Sequence, residues 1–146
     1  ERVLGFLRAH GVDLNLRGGK EEDTLLIAAC REGDSSTAGL LISGKVDVRQ
    51  ANGAGDTALH VCAEKGNIEV AKLLIKAGAK VEAKNGKGDT PLSVALRTNS
   101  PGMCDLLLAV GARVCTMEEG ACSKEVAAVV GKHTGRLATL KRAALR

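Results

Sequence analysis

The residues of this chain whose types could carry out catalysis are not spaced so as to form a reactive group. The histidines are His10, His60 and His133. His60 lies two positions before Cys62, and on a helix that separation points two side chains apart, so the pair is not a catalytic dyad. A nucleophilic cysteine would need a neighbouring base in an accessible, electropositive setting. We therefore expect no enzymatic activity.

Cysteines and glycines are the remaining candidates for binding a metal or a phosphate. The five cysteines, an odd number without a Cys-x-x-Cys pair, are Cys30, Cys62, Cys104, Cys115 and Cys122. Cys115 and Cys122 could form part of a metal site with His133, but their spacing matches no standard zinc pattern. Residues 86–90 lack the full pattern of a phosphate-binding loop. We expect no metal and no cofactor, and we expect buried thiols in a reducing compartment.

The strongest pattern in the sequence is a repeat. Three aspartates, Asp23, Asp56 and Asp89, are each 33 residues apart. They begin the related segments Asp23-Thr24-Leu25-Leu26, Asp56-Thr57-Ala58-Leu59 and Asp89-Thr90-Pro91-Leu92. A fixed period of this length indicates a solenoid of stacked units. Solenoids commonly act through extended binding surfaces, because each unit contacts only its neighbours.

The repeated segments carry a motif. Thr57-Ala58-Leu59-His60-Val61-Cys62-Ala63 and Thr90-Pro91-Leu92-Ser93-Val94-Ala95 resemble the Thr-Pro-Leu-His-x-Ala signature of the ankyrin repeat. Gly78 and Gly111 match the glycine that follows the second helix of that repeat. The resemblance extends over residues 1–122 and implies structural hydrogen bonds near the turn for His60. It departs from the signature where the family has His, at Ile27 and Ser93, and where it has Pro, at Leu25 and Ala58.

The resemblance implies an all-α solenoid of stacked helix-turn-helix units with β-hairpin-like finger loops. We divide the chain into a partial N-terminal repeat (1–16), a first, second and third repeat (17–49, 50–82 and 83–115) and a degenerate C-terminal capping repeat (116–146). The fingers of the three repeats are residues 17–24, 50–57 and 83–90. Residues 1–11 read as a second helix whose first helix is absent, so we expect the chain to be a fragment of a longer protein.

Local signals place the helix ends within each repeat. Asp56 or Thr57 can cap the first helix of the second repeat. Gly33 and Gly66 end first helices, because glycine adopts left-handed backbone angles freely. The second helix of the second repeat carries an apolar stripe at helical spacing. The stripe consists of Ile68, Ala71, Leu74 and Ile75, and it is widened by Val70 and Leu73.

Turn chemistry marks the fingers. Asn52-Gly53 and Asn85-Gly86 predict hairpin tips, because both residue types accept positive φ. The segment from Leu14 to Asp23 is one residue longer than the corresponding segments of the next two repeats. We therefore predict a bulged tip in the first finger.

The C-terminal stretch departs from the repeat pattern. Ser123 lies at the next start that the period predicts, but Glu125 replaces a core leucine. We predict a loop over residues 131–135 and a final amphipathic helix over residues 136–145. This helix would seal the end of the stack, as solenoids require, or bind an acidic partner or nucleic acid. Its apolar side consists of Leu137, Leu140 and Ala144.

Positive charge is concentrated at the C-terminal end. The net charge is +4, and residues 123–146 contribute +5, from six Lys or Arg and one Glu, so residues 1–122 carry −1. A nearly neutral body with a single aromatic residue, Phe6, makes nucleic acid an unlikely partner. No apolar run reaches the roughly 18 residues of a membrane span. We expect no membrane insertion and an intracellular location, cytoplasmic or nuclear.

The surface left for function is the concave side of the stack, where finger tips and the exposed ends of first helices lie in a row. We call it the finger face. Because it carries both charge signs, we expect it to bind another protein or a peptide, and we expect the isolated chain to be monomeric. The alternative is a regulatory or targeting arm of a larger enzyme or channel. The predicted partner-binding residues are Lys20, Glu21, Asp23, Arg31, Glu32, Asp56, Glu64, Lys65, Lys84, Lys87, Asp89, Arg97 and Thr98.

Overall fold

The computed structural model describes residues 9–11, 13–114 and 124–134. A short antiparallel pair, β1 (Arg17–Gly18) and β2 (Asp23–Thr24), forms the first finger. The helices of the described part are α1 (Leu25–Glu32), α2 (Ser35–Ser43), α3 (Ala58–Lys65), α4 (Ile68–Lys76), α5 (Pro91–Arg97), α6 (Pro101–Ala109) and α7 (Lys124–Thr134).

The helices form two layers. The first helices α1, α3 and α5 lie side by side in one layer, and the second helices α2, α4 and α6 form the other. Within each repeat the two helices pack against each other. The predicted solenoid of helix-turn-helix units is therefore confirmed.

Threonines one period apart begin the first helices. Thr24, Thr57 and Thr90 are the N-caps of α1, α3 and α5, each with extended backbone angles. Thr24 Oγ1 accepts a hydrogen bond from the backbone N–H of Ile27 at 3.2 Å. Such a bond satisfies one of the amide groups that a helix start leaves without an intrahelical partner. The N-cap of α3 is thus Thr57, not Asp56.

Residues with left-handed backbone angles follow most of these helices. Gly33 and Gly66, with φ of 77° and 72°, end α1 and α3 as predicted. Gly78 and Gly111, with φ of 90° and 93°, follow α4 and α6. Lys45 has φ of 56° after α2, so the backbone conformation is kept at a position where this chain lacks glycine.

Leucines one period apart fill the core between the layers. Leu26, Leu59 and Leu92 are each at most 1% exposed. On α4, Leu74 is fully buried, whereas its neighbour Leu73 is 37% exposed. The prediction that Leu73 widens the buried stripe is wrong, because more than a third of this residue is exposed to solvent.

The Asn-Gly pairs do not supply the left-handed residues of the fingers, which corrects the prediction. The residues with positive φ are Gly55 and Gly88, each at 82°, and Glu22 at 52° in the equivalent position of the first finger. The bulge of the first finger is confirmed by its pairing. Arg17 pairs with Thr24, seven positions on, whereas Ala51 bridges to Thr57, six positions on.

The repeat period predicts that helix α7 continues the first-helix layer, but the structure places it elsewhere. Its main neighbour in the described part is α6, not α5, and His133 Nε2 lies 2.7 Å from Asp105 Oδ1 of α6. That hydrogen bond lowers the pKa of Asp105. The helix runs through Thr134, so the predicted loop from residue 131 is wrong. The predicted helix over 136–145, with Leu137, Leu140 and Ala144, lies outside the described residues.

The described cysteines, Cys30, Cys62 and Cys104, are buried thiols, as predicted. A hydrogen bond with Cys30, together with burial, raises the pKa of Cys62, so this sulfur is held as an unreactive thiol. Cys115 and Cys122 lie outside the described residues. Within the described part, none of the helices is long and apolar enough to span a bilayer.

Candidate functional site

Asparagine side chains join neighbouring fingers at equivalent positions. Asn52 Nδ2 in the second finger donates to Asp23 Oδ1 in the first finger at 2.9 Å. Asn85 Nδ2 in the third finger donates to Asp56 Oδ1 in the second at 2.7 Å. The side-chain oxygen of each asparagine accepts two backbone N–H groups of its own finger, at 2.9–3.0 Å. Each asparagine thus fixes its own turn and holds the preceding finger.

Backbone hydrogen bonds run beside these side chains. The N–H of Gly53 donates to the carbonyl of Glu21, and the N–H of Gly86 donates to the carbonyl of Ala54, each at 2.9 Å. A Cβ atom on Gly86 would lie 2.7 Å from that Ala54 oxygen. The glycine after each asparagine therefore permits close approach of adjacent fingers. Sequence reasoning missed this contact, although the recurrence of Asn-Gly at the repeat period was its signal.

His60 links the second repeat to the third finger. The N–H of Thr57 donates to His60 Nδ1 at 3.2 Å, and Thr57 Oγ1 lies 2.9 Å from the same nitrogen. The other ring nitrogen, Nε2, then carries the hydrogen and donates to the backbone carbonyl of Asp89 at 2.9 Å. Because the ring is 2% exposed and both nitrogens are bonded, His60 is structural, as the family resemblance implied.

We expect His60→Ala to lower the free energy of unfolding by about 2–3 kcal/mol, because it leaves buried backbone groups unpaired and opens a cavity. The matched control is Ser93→Ala, one repeat later, where the side chain bonds the hydroxyl of Thr90. That change should cost about 1 kcal/mol or less. Urea denaturation followed by circular dichroism measures both, and equal losses would contradict a bridging role for His60.

Ion pairs recur on the finger face in the first and third repeats. Arg31 donates to Asp23 through Nε at 2.9 Å and through Nη2 at 3.0 Å. Arg97 Nη1 donates to Asp89 Oδ2 at 2.7 Å. Burial raises the pKa of Asp23, but hydrogen bonds from Arg31 and Asn52 and the charge of Arg31 outweigh it, so the net pKa is lowered. Asp23 is therefore held as a carboxylate.

The second repeat breaks this pattern. Glu64 occupies the position one period after Arg31, so Asp56 lacks an arginine of its own. Within the described part, Asp56 accepts a side-chain hydrogen bond from Asn85. Glu64 is exposed. The pKa of Arg31 is raised mainly by its hydrogen bond to Asp23, and the nearby charge of Glu64 adds to the increase.

The other predicted site residues fall into two groups. Glu21 lies 3.6 Å from Arg31, and Thr98 donates to the carbonyls of Val94 at 3.0 Å and Ala63 at 3.3 Å. Thr98 is therefore anchored to the second repeat. The remainder are exposed, without an ion pair among the described residues: Lys20, Glu32, Lys65, Lys84 and Lys87.

A groove of about 400 Å³ lies beside α1 and the first finger. Its apolar floor includes Leu25 and Ala28, and Leu25 is 46% exposed. One period later, Ala58 and Val61 are at most 2% exposed, because a first helix covers that side of α3. Among the described first helices, only α3 lies beside α1, and the groove lies on the face of α1 that carries Leu25 and Ala28. In the described ranges, no group of three His, Cys, Asp or Glu side chains could hold a metal ion.

Stacked helical hairpins with neighbouring fingers joined by polar side chains define a helical-repeat protein. The family model of ankyrin repeats in three copies matches residues 2–85 and 25–118, and the chain belongs to the ankyrin-repeat family. Ankyrin repeats generally bind other proteins and are typically non-catalytic. No curated protein matches the chain.

Proposed function

We propose that this chain binds a partner protein or peptide along the finger face, and that a basic side chain of the partner lies over the second repeat. The observation that carries the proposal is the missing arginine of that repeat. The first and third repeats each neutralise their finger aspartate with Arg31 or Arg97. The second repeat presents two carboxylates, Asp56 and Glu64, at the corresponding positions.

The arginines of the neighbouring repeats are paired with other carboxylates, so a cation of a partner can pair with Asp56 and Glu64. Arg31 is engaged by Asp23 and Glu21, and Arg97 is engaged by Asp89. An arginine of a partner would supply the donors that the second repeat lacks, and its planar fork suits two carboxylate oxygens. Hydrogen bonds to charged groups contribute about 1.5–3 kcal/mol each.

The shape of the second finger favours the same position. Its tip residue is Ala54, whereas the equivalent residues of the neighbouring fingers are Glu21 and Lys87. Ala54 is flanked by Gly53 and Gly55, so no long side chain of this finger stands over the carboxylates. A long side chain from a partner can therefore enter between the longer residues on either side.

Glu64→Arg tests the proposal, because it gives Asp56 the partner found in the other repeats. A randomised peptide library is selected on the folded chain. We expect the enriched peptides to contain Arg or Lys and to bind the variant at least about tenfold more weakly, the loss that about 1.4 kcal/mol produces. Stability should change by less than about 1 kcal/mol, because the new ion pair is near the surface.

The matched control is Glu69→Arg, which makes the same charge change on α4, in the second-helix layer of the same repeat. Glu69 is exposed and 3.2 Å from Lys72, away from the finger face. Its peptide affinities should stay close to those of the unchanged chain. Equal binding to the Glu64→Arg chain, or equal weakening by both variants, would contradict the proposed position of the partner.

A further inference from the structure

We propose that Asn85–Gly86 is a site of spontaneous deamidation, and that its rate is set by the opening of the contact between the second and third fingers. Asn-Gly is the dipeptide in which this reaction meets least hindrance, because glycine has no side chain to shield its backbone nitrogen. The inference concerns the chemistry of the fingers and stands independently of the proposed partner.

The reaction requires that the asparagine side chain and the backbone amide of the next residue can move out of their hydrogen bonds and approach each other. The backbone nitrogen of Gly86 attacks Cγ of Asn85, a C–N bond forms, and ammonia leaves with the side-chain nitrogen. The amide proton of Gly86 is lost to water as the ring closes. Water then hydrolyses the cyclic imide at one of its two carbonyls, which gives aspartate or isoaspartate at position 85. Water is the sole co-reactant.

In the folded chain, hydrogen bonds hold every atom that must move. Asn85 Nδ2 donates to Asp56 at 2.7 Å, and its Oδ1 accepts the N–H groups of Lys87 and Asp89 at 3.0 and 2.9 Å. The attacking N–H of Gly86 donates to the carbonyl of Ala54 at 2.9 Å. Two of these bonds, from Asn85 Nδ2 to Asp56 and from the Gly86 N–H to Ala54, cross between the fingers. Both must break before the ring can close, so the reaction reports on opening of this contact.

Asn52–Gly53 makes the same set of hydrogen bonds, but the carboxylate that accepts from its side chain is held in place more tightly. Its acceptor, Asp23, is fixed by two hydrogen bonds from Arg31, whereas Asp56 has no arginine in the described part. Asn52 is also 5% exposed, while Asn85 is only partly buried. Opening should therefore be more frequent at Asn85, and Asn52 provides an internal comparison within the same molecule.

The product would change the finger face. A carboxylate at position 85 would meet the carboxylate of Asp56 at the distance now spanned by a hydrogen bond, and like charges at that separation repel. The contact that had protected the site would not re-form. Deamidation would thus add negative charge beside Asp56 and Glu64 and would separate the third finger from the second.

The test is to incubate the folded chain at mildly alkaline pH and to quantify aspartate and isoaspartate at both positions by peptide mass spectrometry. We expect position 85 to convert faster than position 52, and both more slowly than an unstructured peptide of residues 82–90. Asp56→Ala should raise the rate at position 85 several-fold and leave position 52 unchanged. Glu64→Arg should slow the reaction at position 85, because the new arginine fixes Asp56.

Two matched outcomes decide the proposal. Asp23→Ala should have the opposite effect to Asp56→Ala. It should speed the reaction at position 52 and leave the rate at position 85 unchanged. If Asp56→Ala leaves the rate at position 85 unchanged, the finger contact does not control it. If either variant raises both rates together, the opening is global and the proposal is wrong.

Discussion

Leu74→Ala should lower the free energy of unfolding by about 2–5 kcal/mol, because the lost side chain leaves a cavity that neighbouring helices fill only in part. Leu74 is fully buried on α4, and α4 packs against α2, α3 and α6. Since stability in a solenoid is shared between adjacent units, the loss should weaken the whole array. Urea denaturation with circular dichroism measures it.

The adjacent Leu73→Ala is the control for this change. It removes the same atoms from the same helix, but Leu73 is already 37% exposed. We expect a loss of about 1 kcal/mol or less, since little apolar area returns to water. Similar losses for the two variants would contradict the described orientation of α4.

The second large effect is expected at Gly55. Gly55 and Gly88 both have φ of 82°, so alanine at either position carries the same left-handed strain, about 1–2 kcal/mol. A Cβ on Gly55 would also lie 2.6 Å from the backbone nitrogen of Gly86, whereas in the described part no atom beyond the adjacent residues lies within 4 Å of a Cβ on Gly88. Gly55→Ala should therefore cost about 2 kcal/mol more than Gly88→Ala, through overpacking.

This pair separates backbone strain from the contact between fingers. Thermal unfolding followed by circular dichroism gives the two losses, and hydrogen exchange at the Gly86 amide shows whether the fingers have moved apart. We expect faster exchange at Gly86 in Gly55→Ala and little change in Gly88→Ala. Equal losses with unchanged exchange would mean that the fingers are not in the close contact described above.

The features that could be predicted from the sequence are those fixed within one repeat. Thr24 and Thr90 cap their helices through amides three residues away, and the sequence offered Thr57 with Asp56 as the two candidate caps of the equivalent helix. Gly33 and Gly66 end helices through their own backbone angles. The bulge of the first finger followed from chain length alone.

The features that could not be predicted depend on contacts between repeats. Asn52 and Asn85 read as turn residues, because their partners Asp23 and Asp56 lie 29 residues earlier in the chain. The position of α7 was missed for the same reason, since the period predicts where a helix begins but not the layer against which it packs. The prediction for Leu73 was wrong because the spacing of apolar residues on a helix does not show how much of that helix face is buried.

The sequence predicted which residues form the candidate site but not which of their side chains pair with each other. The rows of charged residues in the fingers and first helices were evident, yet their pairing was not. Arginine eight positions after the aspartate, in two of three repeats, was the available signal. Read at the repeat period, that interval would have marked Glu64 as the exception, the residue on which the proposed function now depends.

In the described part, α3 lies between two first helices, α1 and α5, whereas α1 and α5 each have one first helix beside them. The helix in the middle therefore shares apolar surface with neighbours on both sides. Local unfolding should reach it last, and its backbone amides should exchange with solvent more slowly than those of α1 and α5.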